Sequence, residues 1–140
     1  NNLTSVSGYL DLNNTPITNL PNNLTSVSGY LDLNNTPITT LPDNLTVNGY
    51  LLLYGGKITT LPKNLKVGKD LDLSYTKITS LPDELKVGGN LYIGNTPITT
   101  LPKDLTVGRD LFLYNTLISK QYSWEQLRSM LPNVKGEIYV

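Results

Sequence analysis

One motif returns every 20 or 21 residues along almost the whole 140-residue chain, and no other feature limits the fold as tightly. The unit reads V-x-G-x-L-x-L-x-x-T-x-I-x-x-L-P-x-x-L. Its first strand leucines are Leu10, Leu31, Leu51, Leu71, Leu91 and Leu111, spaced 21, 20, 20, 20 and 20. Ile17, Ile38, Ile58, Ile78, Ile98 and Ile118 keep the same register, as do Pro21, Pro42, Pro62, Pro82 and Pro102. The implied repeats are 1–21, 22–42, 43–62, 63–82, 83–102 and 103–122, in a single domain over 1–140 that ends in a cap at 123–140.

Within a coil, Leu10 and Leu12 alternate with Tyr9, Asp11 and Asn13, the period of a half-buried strand. Asn13-Asn14-Thr15-Pro16 carries turn chemistry. Ile17 and Leu20 return to the interior, and Pro21 blocks both helix continuation and ladder pairing. Leu24 and Val27 complete the inward set. A coil this short has no room for a strand, two turns and a helix, so the convex side is expected to be extended or polyproline-like. Its few aliphatic side chains cannot offset the entropy of ordering it, so a coil stands only when neighbours cover both open faces.

The pattern L-x-L-x-x-T-x-I-x-x-L-P resembles the leucine-rich-repeat family over essentially the whole chain, and the period with its Leu-Pro step is closest to the short bacterial class of some secreted effectors. The resemblance implies a mainly β solenoid: a curved parallel sheet, an extended convex side, and a C-terminal capping helix and strand. Two departures stand out. The family's asparagine after the strand is replaced by Thr15, Thr36, Thr76, Thr96 and Thr116, with Gly56 interrupting the column, and a ladder of threonine hydroxyls on neighbouring backbone is expected. Val6 to Leu10 also spans one residue more than the family pattern, and Gly8, Gly29, Gly49 and Gly89 are expected to absorb it as a bend. Lys69 and Arg109 share that column, so it cannot point fully inward.

The last coil differs. Ser123 with Gln126 reads as a capping box, and Trp124, Leu127, Met130 and Leu131 share one helical face, so one helix is expected near 124–131. Val134 to Val140 repeats the strand pattern as a seventh strand, 27 residues after the sixth. At the other end, 1–21 and 22–42 differ only at Asn19 versus Thr40, a recent duplication, and the first repeat is expected to leave its core edge open. The chain opens at Asn1 without an initiator Met or signal-like segment, so a processed chain or an excised piece is expected.

Chemistry is sparse. The chain has no His and no Cys, which removes most general-base, nucleophile and zinc arrangements, and neither cofactor nor metal is expected. Asp70 and Asp72 share a strand face and are read as solvated rather than as an acid/base pair. Asn2, Asn13, Asn23, Asn34 and Asn44 fit Asn-x-Ser/Thr, an accident of an Asn- and Thr-rich repeat. No apolar run is long enough to span a bilayer, so no membrane insertion is expected. Without cysteine the compartment stays open, with a secreted or surface setting expected over a cytoplasmic one.

The outward strand positions form three columns. Tyr9, Tyr30, Tyr50, Asp70, Asn90, Asp110 and Glu137 precede the first inward residue; Asp11, Asp32, Leu52, Asp72, Tyr92, Phe112 and Tyr139 lie between the inward pair; Asn13, Asn34, Tyr54, Ser74, Gly94 and Tyr114 follow. They hold six of the eleven acids and none of the eleven Lys and Arg residues, which argues against nucleic acid. The expected function is non-enzymatic: a protein- or peptide-binding module using this concave acidic and aromatic face. Its site is expected at Leu52, Tyr54, Asp72, Tyr92, Asp110, Phe112, Tyr114 and Tyr139, with a protein or peptide ligand. The alternatives are a structural spacer or assembly domain, self-associating through the open N-terminal edge, and carbohydrate or surface adhesion.

Overall fold

The computed structural model describes residues 3–140; Asn1 and Asn2, with the sequon at Asn2, lie outside the described residues. The leucine strands are β2 (Leu10–Asp11), β4 (Leu31–Asp32), β6 (Leu51–Leu52), β8 (Leu71–Asp72), β10 (Leu91–Tyr92), β12 (Leu111–Phe112) and β13 (Ile138–Tyr139), numbered in chain order. They form one seven-stranded parallel sheet in which Leu10, Leu31, Leu51, Leu71, Leu91, Leu111 and Ile138 are register partners in turn. Each coil thus stacks directly on the last, and the long final coil returns to the same register.

A second sheet runs beside the first. Its strands are β1 (Ser5–Val6), β3 (Ser26–Val27), β5 (Thr46–Val47), β7 (Lys66–Val67), β9 (Lys86–Val87) and β11 (Thr106–Val107), six in all and again parallel. The sequence marks this valine column as inward but gives no separate sign that its backbone pairs. The added residue between Val6 and Leu10 becomes the corner between the sheets: the chain bends at 7–8, 28–29, 48–49, 68–69, 88–89 and 108–109. Lys69 and Arg109 stand exposed at that corner, as expected.

Turns follow side-chain type. After each of the first six leucine strands the chain enters the left-handed region, at Asn14, Asn35, Asn95 and Asn115 with φ of 55–56° and at Gly55 with φ of 68°. Asparagine and glycine tolerate that region best. Tyr75 holds the same position at φ 60° and is the one bulky side chain in it. The threonine column corrects the expected ladder. Thr15, Thr36, Thr76, Thr96 and Thr116 each donate a hydroxyl to the carbonyl three residues back in their own coil, at 2.6–2.9 Å. The bond closes the turn rather than joining coils.

Leucines, isoleucines and valines from every coil fill one continuous core, with Leu31, Leu51, Leu71, Leu91 and Leu111 all at 0% exposure. In the first coil Val6, Leu10, Leu12 and Ile17 stay partly exposed where their second-coil equivalents are buried. At the far end the expectation of a single helix is corrected to two, α1 (Leu117–Gln121) and α2 (Trp124–Met130). The second has the Ser123–Gln126 capping box read from the sequence. The first begins at Leu117, directly after Thr116, and Thr116 and Ser119 cap it reciprocally. Leu127 and Leu131 cover the last layer of core.

Candidate functional site

Parallel strands about 4.8 Å apart place like positions of successive coils side by side, so each outward column is a row of neighbouring residues. In the middle column Tyr92 and Phe112 stack with centroids 4.6 Å apart and planes 9° apart. Phe112 and Tyr139 stack at 4.7 Å and 9°. Tyr114, two residues along from Phe112, leans against both, at 6.1 Å from Phe112 and 6.5 Å from Tyr139. Asn90 donates its side-chain amide to the Tyr92 hydroxyl at 3.1 Å, which fixes the tilt of that ring. Since the rings lie face to face, what they turn outward is mainly ring edges and tyrosine hydroxyls.

The eight expected site residues do not form one cluster. Tyr92, Phe112, Tyr114 and Tyr139 do. Asp72 adjoins them as the register partner of Tyr92, with Leu52 beyond it. Tyr54 pairs instead with Tyr75, at 5.3 Å and 57°. Tyr75 escaped the outward columns because it sits in the turn after the strand. Asp110 is engaged with the backbone, where its Oδ1 accepts the Glu137 amide at 2.8 Å. Asp70 accepts the Asn90 amide at 2.7 Å, and Asn90 accepts the Asp110 amide at 2.9 Å. In these three coils one side-chain oxygen thus holds the start of the next strand.

Asp72 differs from those acids. Its Oδ1 accepts the amide of Ser74 in its own coil at 2.9 Å. Burial pushes its carboxyl above the ordinary value; Ser74 pulls it back, and Asp70 nearby pushes it up again. No basic side chain is among the groups that act on it. A cation stands at the rim of the face, where Lys69 Nζ lies 5.5 Å from the centre of the Tyr50 ring. Lys69, Arg109, Tyr50, Asp70 and Asn90 line a shallow polar hollow of about 350 Å³ there. The presence of Lys69 and Arg109 in the glycine column was the sequence signal for it. Among the described residues no group of three His, Cys, Asp or Glu side chains is placed to hold a metal ion, and no helix is long and apolar enough to cross a membrane.

No family model and no curated protein matches the sequence. Among solved structures, the chain is similar to a leucine-rich-repeat protein of Leptospira interrogans, with 28% identity and a TM-score of 0.56. The match covers 92% of this chain and 36% of that one, so the chain spans about a third of the length of its structural neighbour.

Proposed function

Starting from a leucine-rich-repeat solenoid, which is the fold of this chain, we propose that its concave sheet binds a protein or peptide through Tyr92, Phe112, Tyr114 and Tyr139. The fold is one generally used for protein binding. The observation that carries the reading is the stack of three rings at 4.6 and 4.7 Å with Tyr114 against it. Rings locked by their neighbours offer a large contact area and lose little freedom when a partner arrives. The same stacking supports a peptide over a sugar, because a sugar ring packs on aromatic faces and the inner faces of this row cover one another. The chain itself acts as a binding module, not as an enzyme.

The reading is tested with a purified partner, or with peptides selected from a random display library against the intact chain. Phe112→Ala should weaken binding by about 2 kcal/mol or more with the melting temperature little changed. Lys63→Ala and Lys103→Ala, on the convex side, should change it little. Binding that ignores Phe112 and collapses with the lysines sinks the proposal.

A second reading rests on the half-exposed first coil, where Leu3 is 42% exposed and Val6, Leu10 and Ile17 are only partly covered. That apolar edge supports self-association between N-terminal coils. Sedimentation showing a monomer at high concentration would remove it.

A further inference from the structure

We propose that Asp72 and the uncovered face of Tyr92 form a seat for a cationic side chain, so that the partner is a basic segment carrying Arg or Lys beside an apolar anchor. This rests on the concave-face reading above and names the chemistry it selects. In the middle column Leu52, Asp72 and Tyr92 are consecutive register partners on β6, β8 and β10. A short side chain therefore stands between two long ones. Two strand spacings, about 9.6 Å, separate the flanking backbones, which leaves room for one flat or rod-like group above Asp72.

The notch has chemically distinct sides. One wall is the face of Tyr92 opposite Phe112, which covers the other side of that ring at 4.6 Å. The floor is the half-buried Asp72 carboxylate, its Oδ1 turned to the Ser74 amide and no basic side chain acting on it. The remaining wall is the aliphatic Leu52. A guanidinium or ammonium stacked on Tyr92 would meet the ring quadrupole and the carboxylate together, and its methylene stem would lie along Leu52. The chain uses the first of these contacts on itself: Lys69 Nζ sits 5.5 Å from the Tyr50 ring centre on the same sheet. Charge across the face agrees, since the outward columns hold six of the eleven acids and no Lys or Arg. An apolar residue next to the cation would then fall on Phe112 and Tyr114, one strand further on.

The probe is a library of random dodecapeptides displayed on phage and selected on the intact chain, with the recovered peptides remade and their affinities measured. Selected peptides should carry Arg or Lys. Asp72→Asn, which keeps an oxygen for the Ser74 amide, should weaken them at least tenfold. Replacing the peptide arginine by citrulline, its uncharged isostere, should do the same without altering the protein. Tyr92→Phe should keep most of the affinity and Tyr92→Leu should lose it. Peptides that need Phe112 but tolerate Asp72→Asn and citrulline would overturn the cation seat and leave the concave-face reading standing. Peptides indifferent to Phe112, Tyr92 and Asp72 alike would overturn both.

Discussion

Arg128 donates from Nη1 to the carbonyl of Gly136 at 2.8 Å, and from Nη2 to that of Val134. In each earlier coil the matching two carbonyls accept amides from the coil that follows. Val107 accepts from Lys135 at 2.9 Å and Arg109 from Gly136 at 2.8 Å, just as Val6 and Gly8 accept from Ser28 and Gly29. One guanidinium therefore stands in for two backbone amides and ends the second sheet's hydrogen-bond row with its acceptors satisfied. Arg128→Ala should cost about 2–4 kcal/mol, since charged donors are worth more than neutral ones and two half-buried acceptors would lose their partner. Arg128→Lys should recover less than half of that, because an ammonium is a single point of donation and not a fork. Urea unfolding of the two variants checks it; a loss below about 1 kcal/mol for Arg128→Ala contradicts this role.

Coil-to-coil contact at the corner sets a second expectation. A Cβ added at Gly88 or Gly108 would lie 2.2 or 2.1 Å from the carbonyl oxygen of Gly68 or Gly88 in the coil before, whereas one added at Gly8 meets nothing within 4 Å. Gly88→Ala should therefore cost about 2–3 kcal/mol as coils are forced apart. Gly8→Ala should be neutral or gain up to about 1 kcal/mol from a stiffer unfolded chain. Melting curves that move equally for both would refute the distinction.

Tyr75 carries local strain. It holds φ 60° in a column otherwise made of Asn and Gly, and a side chain with a Cβ costs about 1–2 kcal/mol there. Its ring contact with Tyr54 at 5.3 Å returns part of that cost. Tyr75→Asn should thus stabilise by about 0.5–1 kcal/mol, because asparagine suits this region better. The gain should be larger in a Tyr54→Ala background, where no ring contact is lost. A destabilised Tyr75→Asn in both backgrounds would show that the turn is not strained.

The raised Asp72 carboxyl gives a pH signature. Its folded-state pKa lies above its unfolded one, by burial first and by Asp70 in addition. Between the two values the native state binds more protons, so this group's contribution to stability falls as pH rises through that window. Asp72→Asn removes the effect. The variant should be the more stable at pH 7, and the gap should close as pH drops below the ordinary carboxylate range. A gap of constant size across that range would place the Asp72 carboxyl at its ordinary value.

The open edge of the first coil should show in hydrogen exchange. The Leu10 amide donates to Tyr30 at 2.9 Å and the Leu12 amide to Asp32 at 2.8 Å, but Leu10 and Leu12 are only partly covered. Leu91 is at 0% exposure between two neighbours. In a monomer the Leu10 and Leu12 amides should exchange well before that of Leu91. Equal protection would mean that the first coil opens only with the whole fold.

The repeat by itself determined the solenoid, the register of its main sheet and the inward set of side chains. Only stacking satisfies leucines at so short a period, and a slip by one residue would turn every one of them to water. Ser123 and Gln126 likewise announced α2 through a local bond that needs no tertiary context. Three features waited for the tertiary structure because they depend on distances between coils. The valine column became a second sheet once stacking brought Val27 opposite Val6. Asp110 was absorbed into the backbone by Glu137, 27 residues away, while Asp72 turned to the Ser74 amide of its own coil beside Tyr92. Arg128 found its carbonyls because the long final coil folds α2 back over the end of the stack. The alternation within each repeat places acids and aromatics on one face, but strand spacing decides which of them touch, and those contacts decide what the face can hold.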